Sequence, residues 1–208
     1  MYLIFDTETT GLPKKWDSPI SDVNNWPRCV QIAWQLHDDM GVCIDHQAYL
    51  ICPDGYNIPY DAEKIHGIST ALATLKGDSL VGVLEKFNEV ISKSKFIVGQ
   101  NVGFDIKIIS CEFYRAQLET NLKDLKVLDT CTEVTANLCK LPGGRGGKYK
   151  LPTLTELHYF LFDEKFIEAH NATADVEATA RCFLELLRTE MFSIDELDCE
   201  IEYIKKFK

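Results

Sequence analysis

The chain has 208 residues, 46% of them hydrophobic and 26% charged, which fits one soluble globular domain with a sizeable core. Its apolar runs fall well short of the ~20 residues that span a bilayer, and Met1 leads straight into a strand-like segment, so a cytoplasmic protein with no cleavable leader and no membrane partner is expected. The net charge of −10 argues against a protein that grips duplex DNA through a broad basic surface.

Tyr2 to Glu8 alternates as a strand that puts Tyr2, Ile4, Asp6 and Glu8 on one face. Residues 13–28, with three prolines and with Trp16 and Trp26, read as a long loop. Val30 to Leu36 and Cys43 to Cys52 read as two strands around a turn at 38–41. Leu80, Val83, Leu84, Phe87, Val90 and Ile91 have helical spacing and predict an amphipathic helix over 78–93. Phe96 to Gly99 is expected as a short buried strand, followed by a helix from about Gly103 that carries Ile106, Ile109, Phe113 and Leu118. Leu125 to Leu128 predicts a fifth strand, and 140–150 a Gly- and Lys-rich loop. Thr153 with Glu156 is a capping-box signature for a helix over 154–162. A last core helix is expected from about Ala172 to Glu190. Three strands followed by alternating helix and strand predict an α/β domain, a mixed sheet flanked by helices. Ser193 with Glu196 opens a C-terminal helical extension, 191–208, that packs on the domain or meets a partner. The eight cysteines include no CxxC pair and no zinc-ligand spacing, and read as reduced core thiols.

Three groups of residues carry chemistry. In Asp6-Thr-Glu8 the acids are two apart on a strand, so both carboxylates point to one place, where they repel unless a cation neutralises them. Hard oxygen ligands of this kind suit Mg²⁺ or Mn²⁺. Alone, such a pair at a strand end is more often a solvated turn. In Gln100-Asn-Val-Gly-Phe-Asp105 the acid falls in the first turn of a helix, near the positive end of its dipole; the bland reading is that Asn101 caps the helix and Asp105 complements the dipole. In His170-Asn-Ala-Thr-Ala-Asp175 a histidine precedes a helix whose first turn holds another acid, and a lone histidine there is usually a polar loop residue. Taken together, four carboxylates and one histidine each lie at the end of an element, where a site can form.

This order of motifs resembles the DEDDh 3′→5′ exonucleases, the family of the proofreading epsilon subunit of bacterial DNA polymerase III. Asp6-Thr-Glu-Thr-Thr-Gly-Leu12 resembles the first family motif, Asn101-Val-Gly-Phe-Asp105 the second, and His170 to Asp175 the third. Ile65-His-Gly-Ile68 and Val127-Leu-Asp-Thr130 resemble two ancillary segments. The likeness covers about residues 1–190, and implies that this stretch is the exonuclease domain, with an RNase H-like fold and a five-stranded mixed sheet. It implies two Mg²⁺ or Mn²⁺ ions, Asp6 bridging both, Glu8 and Asp175 completing the first site, Asp105 holding the second, and His170 as general base. Thr7, Thr10, Leu12 and His66 would line the pocket for the terminal nucleotide, and Asn101 would touch the substrate. An enzyme that acts on a strand terminus needs few phosphate contacts, and bound cations reverse the local field, so the acidic charge is no obstacle.

The expected activity is hydrolysis of phosphodiester bonds at a single-stranded or frayed 3′ end of DNA, with release of nucleoside 5′-monophosphates, beside a polymerase subunit or fused polymerase domain in the epsilon-like setting. Two other readings are an RNA-trimming exoribonuclease similar to RNase T or oligoribonuclease, and a non-catalytic nucleic-acid-binding module; loss of any one acid would favour the last. The loop 140–150 concentrates four basic residues without an acid, so Arg145 and Lys148 are expected to touch the strand. The loop 13–28 is longer than in compact members of the family, and its tryptophans either stack on a base or cover the sheet edge. Gln100 stands where some relatives carry a histidine, which puts a substrate contact there in doubt.

Overall fold

A computed structural model describes residues 1–164 and 171–191. His170 and the expected helix from Ser193 onward lie outside the described residues. Five strands, β1 (Tyr2–Thr9), β2 (Cys29–His37), β3 (Cys43–Leu50), β4 (Phe96–Gly99) and β5 (Lys126–Asp129), form one sheet in the order β3-β2-β1-β4-β5. Strand β2 is antiparallel to both β1 and β3, while β4 and β5 run parallel to β1, so the sheet is mixed, as expected. Seven helices accompany it among the described residues: α1 (Tyr60–His66), α2 (Thr70–Lys76), α3 (Leu80–Lys93), α4 (Gly103–Ala116), α5 (Glu133–Cys139), α6 (Leu154–Phe162) and α7 (Ala172–Arg188).

The alternation of β1 decides what lies above and below the sheet. Leu3 and Phe5 point into a cluster with Phe87 of α3 and Ile106 and Ile109 of α4. Tyr2 and Ile4 point the other way, into a cluster with Val176, Ala180 and Phe183 of α7. Small buried residues on α7, Ala172, Ala178 and Ala180, let that helix lie close to the sheet. Since β1 is the central strand, its carboxyl end carries Asp6 and Glu8 to the middle of the domain, between α4 on one face and α7 on the other. Continuing hydrophobic burial puts the site there: truncating a core ring such as Phe87 costs roughly 3–5 kcal/mol, so these two layers fix the strand end firmly.

The expected strands and long helices are present with ends moved by one or two residues, and the capping box of Thr153 and Glu156 is formed. The sequence reading missed α1, α2 and α5, each seven residues long. Two turns contain too few repeats of the 3.6-residue period to stand out, and short helices of this kind are held by caps and packing. Ser69 and Thr132 supply the caps of α2 and α5. Gly67, at φ 74°, ends α1 in the left-handed conformation that favours glycine, and so places His66 at the helix terminus.

The long loop 13–28 is fastened to α4. Arg115 donates to the carbonyls of Val23 and Trp26, both at 2.6 Å, and shares the fully buried Glu112 with Arg28. Trp26 is only 3% exposed and donates its indole N–H to Pro19 O at 3.1 Å; it covers the core. None of the seven described cysteines is in a disulfide. Among the described residues, no helix is long and apolar enough to cross a membrane.

Candidate active site

Asp6 and Glu8 share a face of β1 opposite Ala33 and Gln31 of β2. Helix α7 begins over the same place. Asn171 caps it by accepting from the Thr173 N–H at 3.0 Å, and the Ala172 N–H donates to the side-chain oxygen of Gln31 at 3.3 Å, the register partner of Glu8. Asp175 therefore enters from the first turn of α7. One oxygen each of Asp6, Glu8 and Asp175 lie within 4.8 Å of one another.

Asp105 reaches the same strand from the opposite layer. Its Oδ1 accepts from the Thr7 backbone N–H at 3.0 Å and from the Thr7 hydroxyl at 2.6 Å, and the residue is 5% exposed. It stands outside the set of three yet close enough to act on them by charge. Burial first, and then the charges of Asp105, Asp175 and Glu8, hold the Asp6 carboxyl well above the usual carboxylate range. Burial, with Asp175 and Asp105, pushes Glu8 up to about 7. Burial also pushes Asp105 to about 7, against the opposing hydrogen bonds from Thr7. Carboxylates that raise one another, with oxygens this close, fit a hard divalent cation.

The sequence matches the RNase T exonuclease family over residues 3–183. The chain belongs to this exonuclease family. No curated protein matches the chain in sequence. Among solved structures, Escherichia coli exonuclease I in complex with a dT13 oligonucleotide is 23% identical with a TM-score of 0.70, over 90% of this chain and 41% of that one. The zinc-bound form of the same enzyme with single-stranded DNA is 25% identical with a TM-score of 0.68, over 90% and 40%. Exonuclease X in complex with 5′-overhanging duplex DNA is 21% identical with a TM-score of 0.62, over 95% and 98%. The chain thus spans about two-fifths of exonuclease I. The sheet order and flanking helices are the RNase H-like exonuclease fold, and the DEDDh resemblance holds at the level of the family.

Other residues that the exonuclease resemblance singles out fall into place unevenly. The Thr7 hydroxyl is committed to Asp105. Thr10 accepts the Arg28 N–H at 2.9 Å, which closes the neck of the loop 13–28, and Leu12 beside it is 72% exposed. His66 accepts the Ile68 N–H on Nδ1 at 3.1 Å. Its Nε2 is buried with no well-formed hydrogen bond, and burial lowers its pKa, opposed by the nearby Thr9 backbone. Asn101 sits at φ 58° and does not cap α4. The capping groups come from Asp129 at the end of β5, which accepts from the N–H groups of Asn101 (2.8 Å), Val102 (3.1 Å) and Cys131 (2.7 Å). Sequence reasoning missed that role, although Asp129 lies in the ancillary segment Val127 to Thr130. Gln100 donates to Pro152 O at 2.7 Å and accepts from the Thr130 hydroxyl, so it ties loop 150–153 to the end of the sheet. In the basic loop, Lys148 is paired with Glu133 and Lys150 with Glu156. Among the described residues Arg145 has no ion-pair partner.

The raised carboxyls of this cluster predict an unusual pH dependence of stability. Ordinary carboxyls ionise near pH 4, so between about pH 4 and pH 7 the unfolded chain has released protons that Glu8 and Asp105 still hold in the folded chain. The folded state binds more protons, and this part of its stability is therefore lost as pH rises through that window. In EDTA, the Tm difference between Asp6→Asn and the parent should grow in favour of the variant from pH 5 to pH 8. Saturating Mg²⁺ or Mn²⁺ at pH 8 should raise the parent Tm, since the ion binds only the folded state, by roughly 2–4 °C per kcal/mol. A parent Tm that ignores both pH and divalent ion would contradict the electrostatic picture.

Proposed function

We propose that the chain is a divalent-metal-dependent 3′→5′ exonuclease that removes nucleoside 5′-monophosphates from single-stranded or frayed DNA ends. The observation that supports it most is the convergence of Asp6, Glu8 and Asp175 from two elements, with their oxygens within 4.8 Å of one another, and with Asp105 beside them. Its structural neighbours exonuclease I and exonuclease X were solved in complex with single-stranded and 5′-overhanging duplex DNA, which favours DNA over RNA.

In this reading Asp6, Glu8 and Asp175 would hold a first Mg²⁺ or Mn²⁺ ion, and Asp105 would help to hold a second. When bound, the ions supply an activated water and charge stabilisation of the phosphate and the leaving 3′ oxygen. Thr7 fixes the orientation of Asp105, and Asp129 fixes the N-terminus of α4 that carries it. His170 takes the proton of the water as its oxygen bonds to phosphorus and the bond to the 3′ oxygen breaks. Leu12 and His66 pack against the last nucleotide, so base preference is weak. A terminus that is already unpaired costs least to bring in.

The test is a chelator-controlled assay on 3′- and 5′-labelled DNA and RNA oligonucleotides of matched sequence. Stepwise loss from the 3′ end of DNA, abolished by EDTA and restored by Mg²⁺ or Mn²⁺, supports the proposal. Preference for RNA would replace the substrate, and full turnover in EDTA would end the metal reading. Proofreading beside a polymerase is the setting that the epsilon resemblance implies, and co-purification with a polymerase subunit tests it separately.

The basic loop gives a smaller expectation. Because Lys148 and Lys150 are already paired with Glu133 and Glu156, Arg145, at the tip of the loop, and Lys140, at its start, are the basic residues there left to meet a phosphate. Arg145→Ala is expected to raise KM and to reduce the slope of log KM against log salt by about 0.7, while Lys148→Ala changes little. Equal slopes for the Arg145→Ala enzyme and its parent would leave the loop as a plain connection.

A further inference from the structure

We infer that Trp16 is a stacking platform for an unpaired nucleobase of the substrate strand, at a position beside the carboxylate site rather than within it. The inference rests on the exonuclease reading and adds a binding residue to it. Of the three tryptophans, Trp26 and Trp34 are 3% and 2% exposed, whereas Trp16 is 52% exposed. An indole half open to water presents an apolar face available to a ligand. Its backbone is nevertheless held. The Lys107 ammonium donates to Trp16 O at 2.7 Å. On the preceding residue, the Lys15 N–H donates to Asn25 Oδ1 at 2.7 Å, and Asn25 Nδ2 donates back to Lys15 O at 2.9 Å. The buried ion pairs of Arg115 and Arg28 with Glu112 hold the rest of the loop. Little ordering is left to be done on binding, which is what makes a rigid aromatic an effective contact.

Its position ties it to the chemistry. The Trp16 ring lies 5.8 Å from the ring of Phe104, tilted by 53°, and Phe104 is the residue before Asp105. The loop that carries Trp16 leaves directly after Leu12. A strand whose last nucleotide lies at the acids therefore passes close to this pair of rings. Every base has a π face, so stacking here grips a strand without reading its sequence. Exposed Lys14 and Lys15 precede the indole and Asp17 follows it, so charges there partly cancel. The grip is then mainly stacking, and its dependence on salt is shallow.

The experiment uses the full chain with dT and rU oligonucleotides in Mg²⁺. Trp16→Ala is expected to raise KM roughly 5- to 100-fold, the usual worth of one base stacked on an aromatic ring, with the effect confined to KM and largely reversed in Trp16→Phe. An abasic residue walked along the last few nucleotides should weaken the parent enzyme at one position and leave Trp16→Ala indifferent there. In stopped flow, mixing with oligonucleotide should quench tryptophan fluorescence in the parent and not in Trp16→Ala. An unchanged KM in a folded Trp16→Ala enzyme, or quenching that survives the substitution, overturns the platform. Hydrolysis without quenching sinks the platform and leaves the exonuclease reading standing. Quenching that depends on Trp16, without hydrolysis of any strand, sinks the exonuclease reading and leaves the platform. Equal quenching by dT and rU supports a contact on the face of the base that reads neither the 2′-hydroxyl nor the 5-methyl group.

Discussion

Asp6→Ala is expected to lower the exonuclease rate by at least on the order of 10³-fold, the scale of single groups that stabilise transition-state charge in a site of this kind. Asp6 sits at the electrostatic centre of the cluster. Its carboxyl is raised by Asp105, Asp175 and Glu8 alike, whereas Glu8 is raised by Asp175 and Asp105. A group that feels all of its neighbours is the one that a cation placed among them would relieve most. Asp6 also lies between the layers: Glu8 and Asp175 share its face, and Asp105 is delivered from the other by α4. Removing it leaves two half-sites. Asp6→Asn should be almost as inactive, because it keeps the shape and loses the charge, and that pair separates ligation from packing. The measurement is single-turnover release of mononucleotide from an oligonucleotide in saturating Mn²⁺, with Tm as the control for folding. A folded Asp6→Asn enzyme at the parent rate would show that the acids are an ordinary solvated strand end.

The sequence made the acids legible because each sits where a simple period governs its direction. Asp6 and Glu8 follow from two-residue alternation, and Asp175 from the first turn of a helix with an obvious apolar stripe. The mixed sheet was legible for the same reason. What escaped was whatever depended on contacts far apart in the chain. Asn101 looked like the cap of α4, but the acceptor is Asp129, 28 residues away. Lys148 looked like a free phosphate ligand, yet Glu133 lies beside it once α5 forms, and α5 itself was too short to be seen. Trp16 and Trp26 were indistinguishable in sequence, ten positions apart in one proline-rich loop. Only the fastening of that loop to α4 buries one and exposes the other. The contact of Thr7 with Asp105 escaped in the same way: the alternation that brings Asp6 and Glu8 together sends the residue between them to the opposite face, where α4 delivers the acid.

His170→Ala is expected to cost on the order of 10²–10⁴-fold in kcat, the usual worth of a positioned general base, and to leave metal affinity nearly intact. His170 lies outside the described residues, but the residues that follow it are placed. It precedes Asn171, the cap of α7, and that helix starts against Gln31, opposite Glu8. The acids there make ample ligands, and what the cluster lacks is a group that can accept a proton while carrying no negative charge. A neutral imidazole does so near physiological pH. The pH profile distinguishes it from the carboxylates, since burial and the neighbouring acids push Glu8 up to about 7. Cations compete with protons for carboxylates, so a limb of the profile set by Glu8 or Asp105 shifts to lower pH as Mg²⁺ or Mn²⁺ is raised. A limb set by His170 stays where it is at saturating metal. The parent enzyme should keep one ionisation under those conditions, with kcat rising as pH rises through it, and His170→Ala should lose that ionisation together with the rate. By contrast, Asp175→Ala should shift the metal dependence first. A His170→Ala enzyme that retains both its rate and the metal-independent limb would show that solvent or another side chain takes the proton.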